Sequence, residues 1–285
     1  MTTTTATSEA QETRKKARRR PSTWATVMAF LRVEFIEEIS YPMTFAFGLA
    51  KSLMPLVLSF FIGQLIRDGR VGGDYLTFVA IGLGATAMLQ GALVGFGGIL
   101  QRSFQRGTLE TYLVEPVPWT ILPLAMNTWA LGFGMFNGIA LMFLGGFLGA
   151  DYNLSHLGGF ALLILLGLIA TTAIGILSAA VLMLTLKSQP ILTAYGLAAS
   201  LLAGSVFSVS QLPEWLRFFS YFIPLTYVIN GSRTLLMTSP GSFDLSFSTA
   251  VIVLTIFSAI AFPIGLFMFR RALELARKMG LLSGY

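Results

Sequence analysis

The sequence predicts an all-α polytopic membrane protein with six transmembrane helices, an N-terminal interfacial amphipathic helix, and a re-entrant helical hairpin between spans five and six. The first observation behind this prediction is composition. Of the 285 residues, 55% are hydrophobic and only 11% are charged, whereas soluble domains carry about 25% charged residues. The second observation is that the apolar residues form long runs. The third is that the basic residues lie mostly on one side of those runs.

Six apolar runs are long enough to cross a membrane. A bilayer core is about 30 Å thick, so a spanning helix needs about 20 mostly apolar residues. The third and fourth runs exceed this length, which indicates tilt or extra turns beyond the bilayer. The predicted spans are residues 44–66, 75–100, 121–149, 158–186, 191–210 and 247–269.

Lysine and arginine predict the orientation, because cytoplasmic loops carry an excess of both. With the N-terminus in the cytoplasm, fourteen of the 19 basic residues face the cytoplasm and four face outward. Lys51 lies inside the first span, where a snorkelling side chain competes with a substrate or gating role. We therefore expect both termini to be cytoplasmic. The cytoplasmic set is Arg14, Lys15, Lys16, Arg18, Arg19, Arg20, Arg32, Arg102, Arg106, Lys187, Arg270, Arg271, Arg277 and Lys278; the outer set is Arg67, Arg70, Arg217 and Arg233.

The N-terminal segment has two parts. Residues 1–21 lack the apolar core of a signal peptide and are predicted to be a disordered, basic cytoplasmic tail. Residues 22–42 are predicted to form a moderately amphipathic helix in the headgroup plane, with the basic run ahead of it attracted to anionic lipid. The apolar stripe of this helix comprises Trp24, Met28, Leu31, Phe35 and Ile39, and Arg32 lies beside it.

A short charged segment, "RGTLETYLVEPVPWTILP", joins the second and third spans. Thr108 can cap a short helix there, and Glu110 falls in the first turn, where the helix dipole favours a carboxylate. Glu115 precedes Pro116, which disfavours helical geometry and ends the helix. The segment predicts a rigid cytoplasmic knob that docks on another protein; the alternative is a plain interfacial loop.

The outer region between spans five and six, about residues 212–238, contains two short apolar segments, "LPEWLRFFSYFI" and "TYVINGSRTLLM". Each is about 11 to 12 residues long, too short to span but apolar enough to enter the bilayer, which predicts a re-entrant hairpin. Its aromatic residues suit a membrane-interface belt or the exit of a path for an amphipathic substrate. The candidate residues are Trp215, Phe218, Phe219, Phe222, Tyr227 and Asn230.

The sequence lacks the residues that several classes of membrane protein need for their function. No aspartate or glutamate lies in the predicted spans, which disfavours a carrier that relays protons through intramembrane carboxylates. The sequence has no HExxH, GxSxG or GxxxxGK[ST] motif, no cysteine and a single histidine, His156. Catalytic, metal-binding and phosphate-cradling sets are therefore missing. We expect this chain by itself to be no enzyme and to bind no cofactor or metal.

Small and polar residues in the spans leave two interpretations open. Gly91 with Gly95, and Gly134 with Gly138, have the GxxxG spacing of close helix contacts, although ordinary bundle packing also uses glycine. The polar residues are predicted to form interhelical hydrogen bonds, with a substrate-facing role as the alternative. These polar residues include Gln64, Gln90, Asn127, Asn137 and Thr171.

Three stretches together resemble the membrane subunits of ATP-binding-cassette type 2 exporters. They are "RGTLETYLVEPVPWTILP", "LPEWLRFFSYFIPLTYVINGSRTLL" and the tail "RRALELARKMGLLSGY". The resemblance runs from about residue 22 to the end and is closest to the drug and antibiotic-resistance branch. It implies a six-span transmembrane domain over residues 43–270, followed by a cytoplasmic C-terminal helix or tail over 271–285.

The resemblance also implies a function. The chain would be the permease of an ATP-driven exporter that moves an amphipathic or lipid-like substrate (a drug, an antibiotic or a lipid) out of the cytoplasm or the inner leaflet of a bacterial plasma membrane. The alternatives are a polysaccharide or teichoic-acid exporter and, from a different class, an ATP-independent channel or membrane scaffold. No nucleic-acid partner is expected, because the basic run serves orientation and lipid attraction.

The implied partners are a second permease subunit, either another copy of this chain or a related one, and two copies of a cassette ATPase that binds ATP and Mg. In this family a coupling helix in the second-to-third loop, here about residues 105–116, docks on the ATPase. The contacts carried over to this chain are Arg102, Arg106, Gly107, Thr108, Leu109, Glu110, Tyr112, Leu113 and Glu115.

Overall fold

A computed structural model of the protein describes residues 23–67, 72–105, 122–185, 189–238 and 245–278. The predicted basic tail and residues 106–116 of the predicted coupling helix lie outside these ranges. The described part is helical, apart from turns and one isolated antiparallel bridge between Tyr152 and Met237. Its α-helices are α1 (Thr23–Ser40), α2 (Pro42–Arg67), α3 (Gly72–Gln105), α4 (Leu122–Phe147), α5 (Leu157–Thr185), α6 (Gln189–Leu202), α7 (Glu214–Ser220), α8 (Pro224–Leu236) and α9 (Phe247–Lys278).

Five of the described helices, α2, α3, α4, α5 and α9, are long and apolar enough to cross a membrane. They correspond to the predicted spans one to four and six. The predicted fifth span corresponds to α6, which has only 14 residues and is therefore about 21 Å long at 1.5 Å per residue. By length, α6 falls short of a bilayer core about 30 Å thick.

A glycine in the left-handed conformation ends α6 earlier than the predicted boundary at residue 210. Gly204 has φ +78°, and the Ser205 N–H donates to the Ser200 carbonyl at 3.2 Å. This six-to-one hydrogen bond is the Schellman arrangement that terminates helices, and it favours glycine because the positive φ strains other residues. The apolar run continues past residue 204, but its backbone no longer follows the helix.

The other helices pack around α3, which contacts α2, α4, α5, α6 and α8. Its closest neighbour is α4, and the two GxxxG pairs face each other across this contact. A Cβ on Gly91 would overlap the carbonyl oxygen of Ala130, and a Cβ on Gly134 would lie 3.0 Å from the carbonyl oxygen of Met88. The glycines therefore form a specific backbone-to-backbone contact, which we call the glycine seam.

Two of the predicted interhelical hydrogen bonds are present. The amide of Asn127 in α4 donates to the Ala92 carbonyl of α3 at 3.3 Å, and the Ser52 hydroxyl of α2 donates to Asn137 of α4 at 2.7 Å. Thr171 instead donates to a carbonyl of its own helix. Side-chain amides therefore join α3 and α2 to α4, whereas the threonine hydroxyl forms its hydrogen bond within its own helix.

The C-terminal helix differs from the predicted division at residues 270 and 271. Helix α9 runs without interruption from Phe247 to Lys278, so the predicted sixth span and the described part of the predicted C-terminal helix form one element. Arg270 lies within it and pairs with Glu274 one turn later at 3.0 Å. An i,i+4 pair of opposite charges supports helix continuation.

The glycine seam generates a stability prediction. Gly91→Ala should lower the free energy of unfolding by about 1–3 kcal/mol, the usual cost of overpacking, because the added methyl meets a backbone carbonyl that cannot rotate away. Gly132→Ala on α4 is the matched control, since a Cβ there meets nothing within 4 Å. Thermal unfolding in detergent measures both; equal stability of the two variants would contradict the seam.

Candidate functional site

The C-terminal end of α3 is tied to α1 by an ion pair. Arg102, in the last turn of α3, places Nη2 at 3.1 Å from Oε2 of Glu34. The side chain of Glu34 is only 14% exposed, so the carboxylate lies between the helices rather than in solvent. Of the nine predicted coupling residues, Arg102 is the one that the structure describes. The chain continues from it directly into the predicted coupling helix.

Helix α1 turns its carboxylates towards the protein. Glu34, Glu37 and Glu38 are partly buried, and Phe30 packs against the hydrophobic cluster formed by α3, α4, α5 and α9. Most of the predicted apolar stripe faces away from the protein: Trp24, Met28, Phe35 and Ile39 are exposed, as is Arg32, while Leu31 is partly buried. The exposed side of α1 is therefore mostly apolar.

The outer region contains one exposed and one buried helix. Helix α7 has 7 residues, shorter than predicted, and it carries an exposed aromatic group. Phe218 packs edge-to-face on Phe219 and on Phe222, with ring centroids 5.8 and 5.2 Å apart. Trp215 is 67% exposed. These four predicted residues therefore share one exposed aromatic surface.

Helix α8 is part of the core. Every residue from Pro224 to Arg233 is buried, and the helix contacts α3, α5, α6 and α9. The Tyr227 hydroxyl donates to the Tyr221 carbonyl at 2.9 Å, and the Asn230 amide donates within α8 at 2.8 Å. The structure thus separates Tyr227 and Asn230 from the exposed aromatic group with which the sequence had placed them.

A fully buried arginine lies where α8 crosses α3. Arg233 is 0% exposed. Its Nε donates to the Phe78 carbonyl at 3.2 Å and its Nη2 donates to the Ser205 carbonyl at 2.9 Å. The guanidinium carbon lies 3.3 Å from the centre of the Phe78 ring, a cation–π arrangement. Within the described residues no carboxylate pairs with it, and its Nη1 has no hydrogen-bond partner.

The turn after α6 docks on α3 beside this arginine. A Cβ on Gly82 would overlap both the Ser205 carbonyl oxygen and the guanidinium, so the close approach requires glycine. The Ser205 and Thr86 hydroxyls are 2.8 Å apart. Arg233, Ser205, Gly82 and Phe78, which we call the outer arginine cluster, therefore hold α3, α8 and the end of α6 together.

The loop between α4 and α5 closes the same outer end. The Asp151 N–H donates to the Thr77 hydroxyl of α3 at 3.0 Å, and the Asn153 N–H donates to the Leu236 carbonyl of α8 at 2.8 Å. Tyr152 donates from its hydroxyl to the Met142 carbonyl at 2.9 Å. Burial raises the pKa of that hydroxyl, so it stays protonated and keeps this hydrogen bond.

The sequence comparison identifies the family. The model of the family described as "ABC-2 type transporter" matches residues 27–237, well over half of the chain. The chain belongs to this family. It is a permease subunit of an ABC type 2 transporter, a multi-pass membrane protein, and the family implies an ATPase partner in general. No curated protein matches the sequence.

The sequence analysis of this ABC-2 permease did not identify three charged residues that the structure packs against other helices. Arg233 was counted among the outer basic residues, yet it lies in the core. Its signal was an arginine inside the otherwise uncharged "TYVINGSRTLL". Glu34 and Glu38 were not singled out, yet both turn inward. Their i,i+4 spacing placed them on one face of the helix.

The outer arginine cluster generates a second prediction. Arg233→Lys should reduce the free energy of unfolding by about 1–3 kcal/mol, because an ammonium cannot stack on Phe78 and bind two separated carbonyls as a planar guanidinium does. Arg270→Lys is the control, since that residue is exposed and such pairs contribute about 0–1 kcal/mol. The two variants are compared by thermal unfolding of the purified permease; a lysine variant as stable as the wild-type protein would show that charge alone suffices.

Proposed function

We propose that this ABC-2 permease is the membrane subunit of an ATP-driven exporter, powered by a separate ATPase that docks on its second-to-third loop. The observation that carries the proposal is the ion pair between Arg102 and Glu34. It joins α1 to the last turn of α3, immediately before the loop that resembles a coupling helix. This chain would contribute no catalysis itself: ATP and Mg would bind the partner.

A mechanical argument supports this assignment. Helix α3 has 34 residues and is therefore about 51 Å long. It carries Arg102 at its cytoplasmic end and Phe78 and Gly82 at its other end, with the glycine seam between. A displacement of the loop by a closing ATPase would move α3 against α1 at one end and against α8 at the other.

We further propose that α6 and the turn that follows it form the fifth of six spans, and that α7 and α8 form the re-entrant hairpin on the outer side. The support is that α6 is apolar but short, and that α8 is buried among α3, α5 and α9. Both termini would be cytoplasmic in a bacterial inner membrane, in agreement with the distribution of basic residues.

The favoured cargo is an amphipathic or lipid-like molecule, such as a drug, an antibiotic or a lipid. The chain would act in efflux and multidrug resistance, either as a homodimer or beside a related permease. The support for a lateral partner is the exposed apolar face of α2, which is available to lipid or to a second subunit. Its residues include Phe47, Met54, Leu58, Phe61 and Leu65. A polysaccharide or teichoic-acid exporter is the alternative, and the aromatic content of 13% is compatible with it.

Co-expression with a candidate cassette ATPase tests the assignment. We expect stable co-elution and ATP hydrolysis that is stimulated by the permease. Charge reversal of Glu110, or alanine at Leu109 or Tyr112, should reduce that stimulation without unfolding the permease. If no cassette ATPase co-elutes and the loop tolerates all of these substitutions, an ATP-independent channel or scaffold replaces the exporter.

A charge swap tests the link between α1 and α3. Glu34→Arg and Arg102→Glu should each lower transport per ATP hydrolysed, because each places like charges at the contact, and the double variant should recover much of the loss. Transport and hydrolysis are measured together in proteoliposomes. Arg270→Glu is the control for a charge reversal on the cytoplasmic side. A double variant no better than the single ones would argue against transmission through this pair.

A further inference from the structure

Two cavities meet at α1 and α4. The first, which we call the inner groove, has a volume of about 310 Å³ and runs along the glycine seam. The second, which we call the lateral cavity, has a volume of about 480 Å³ and lies between α1 and α4. Glu38, Trp129 and Phe133 line both, so they form the wall between them. Cavities of about 300–1,000 Å³ are the size that holds drug-sized molecules.

The lateral cavity is apolar except for one carboxylate. Among the described residues that line it, Glu38 is the only charged one. The other lining residues are Phe35, Ile39, Pro42, Trp129, Gly132, Phe133 and Phe136.

Glu38 differs from its neighbour Glu34 in having no internal counter-charge. Glu34 is neutralised by Arg102. In the described part of the chain no lysine or arginine pairs with Glu38, and no side-chain hydrogen bond to it is formed. Glu38 is partly buried, and aromatic residues line the same cavity. An unneutralised charge in such low-dielectric surroundings is costly, and a ligand of opposite charge would offset that cost.

The aromatic wall adds to the attraction for a cation. Phe35 of α1 packs edge-to-face on Trp129 of α4, with centroids 5.5 Å apart, which fixes the tryptophan ring in the wall that Glu38 also lines. Tryptophan faces attract cations more strongly than the other aromatic rings do. A carboxylate, a tryptophan and an apolar cavity together suit a molecule that has a positive charge and a bulky hydrocarbon body.

We propose that Glu38, Trp129 and Phe133 form a binding site for a lipophilic organic cation, with its charge at Glu38 and its apolar body in the lateral cavity. The inner groove lies on the other side of the same wall, so the site is an entry position from the membrane towards the groove. The proposal rests on the proposed exporter function only in treating the cation as cargo. Binding is measured without ATPase, so a failed binding site and a failed transport assignment give different results.

The test uses two probes of the same shape and opposite charge, tetraphenylphosphonium and tetraphenylborate. Each is titrated into the purified full chain in dodecyl maltoside, which contains no cationic group, and bound probe is measured by equilibrium dialysis. Tetraphenylphosphonium should bind, and tetraphenylborate, titrated in a separate sample, should not. Glu38→Gln should weaken phosphonium binding by about 10-fold or more, since it removes the charge attraction in a low-dielectric site.

Two further variants distinguish a specific loss of binding at this site from a general loss of the folded structure. Glu37→Gln, on the same helix but outside both cavities, should change binding less than about two-fold, a difference worth under 0.5 kcal/mol. Gly132→Leu should abolish binding without disturbing the fold, because a Cβ there meets nothing within 4 Å and the side chain fills the lateral cavity. Thermal unfolding in the same detergent verifies that each variant is folded.

A lipid arm distinguishes the source of the cation. If phosphatidylethanolamine displaces tetraphenylphosphonium while phosphatidylglycerol does not, an ammonium headgroup occupies the site; if neither displaces it, the ligand is a free cation. Absence of phosphonium binding to the wild-type chain overturns the proposal. So does equal binding by the wild-type, Glu38→Gln and Gly132→Leu proteins.

Discussion

The close contact of α3 and α4 at the glycine seam is the constraint on which the rest of the structure depends. Lipid tails are as apolar as leucine, so helices in a membrane associate through tight packing rather than through release of water. Gly91 and Gly134 permit backbone contact, and Asn127 adds a hydrogen bond across it. The same small residues leave open the inner groove, which is lined by Gly91, Gly95, Ala130 and Gly134. The small residues that allow the stabilising helix contact therefore also create the inner groove.

Charged groups in this permease are accommodated in three different ways. Arg102 and Glu34 neutralise each other at the C-terminal end of α3. Arg233 is buried and is bound through Nε and Nη2 by carbonyls and through its face by an aromatic ring, instead of by a carboxylate. Glu38 has neither kind of partner in the described residues. A charge in an apolar environment needs compensation. The Arg102–Glu34 pair and the contacts of Arg233 are therefore structural, whereas Glu38 is available to a ligand.

Helix α3 connects these regions. Phe78 and Arg102 are 24 residues apart on one uninterrupted helix, which places them about 36 Å apart. The outer arginine cluster fixes one end to α8, and the ion pair fixes the other to α1. A helix held at both ends and packed along a glycine seam moves as a rigid unit, because close-packed interiors transmit displacement instead of absorbing it. That property suits a subunit driven by a partner on one side of the membrane.

The sequence by itself determined the elements that depend on local chain properties. Hydrophobic length predicted α2, α3, α4, α5 and α9, and two short apolar segments predicted the pair α7 and α8. Each of these features follows from residues close together in the chain, because the length of an apolar run is a local property.

Only the tertiary structure decided which face of each helix turns inward. It buried Arg233, turned the carboxylates of α1 towards the protein and exposed Phe35 and Ile39. It also ended α6 at Leu202, where the turn presents the Ser205 carbonyl to Arg233. The physical reason is that lipid and protein interior are both apolar, so hydropathy does not distinguish them. Which face of a helix turns inward depends on contacts with residues distant in sequence, such as Phe78 for Arg233 and Arg102 for Glu34.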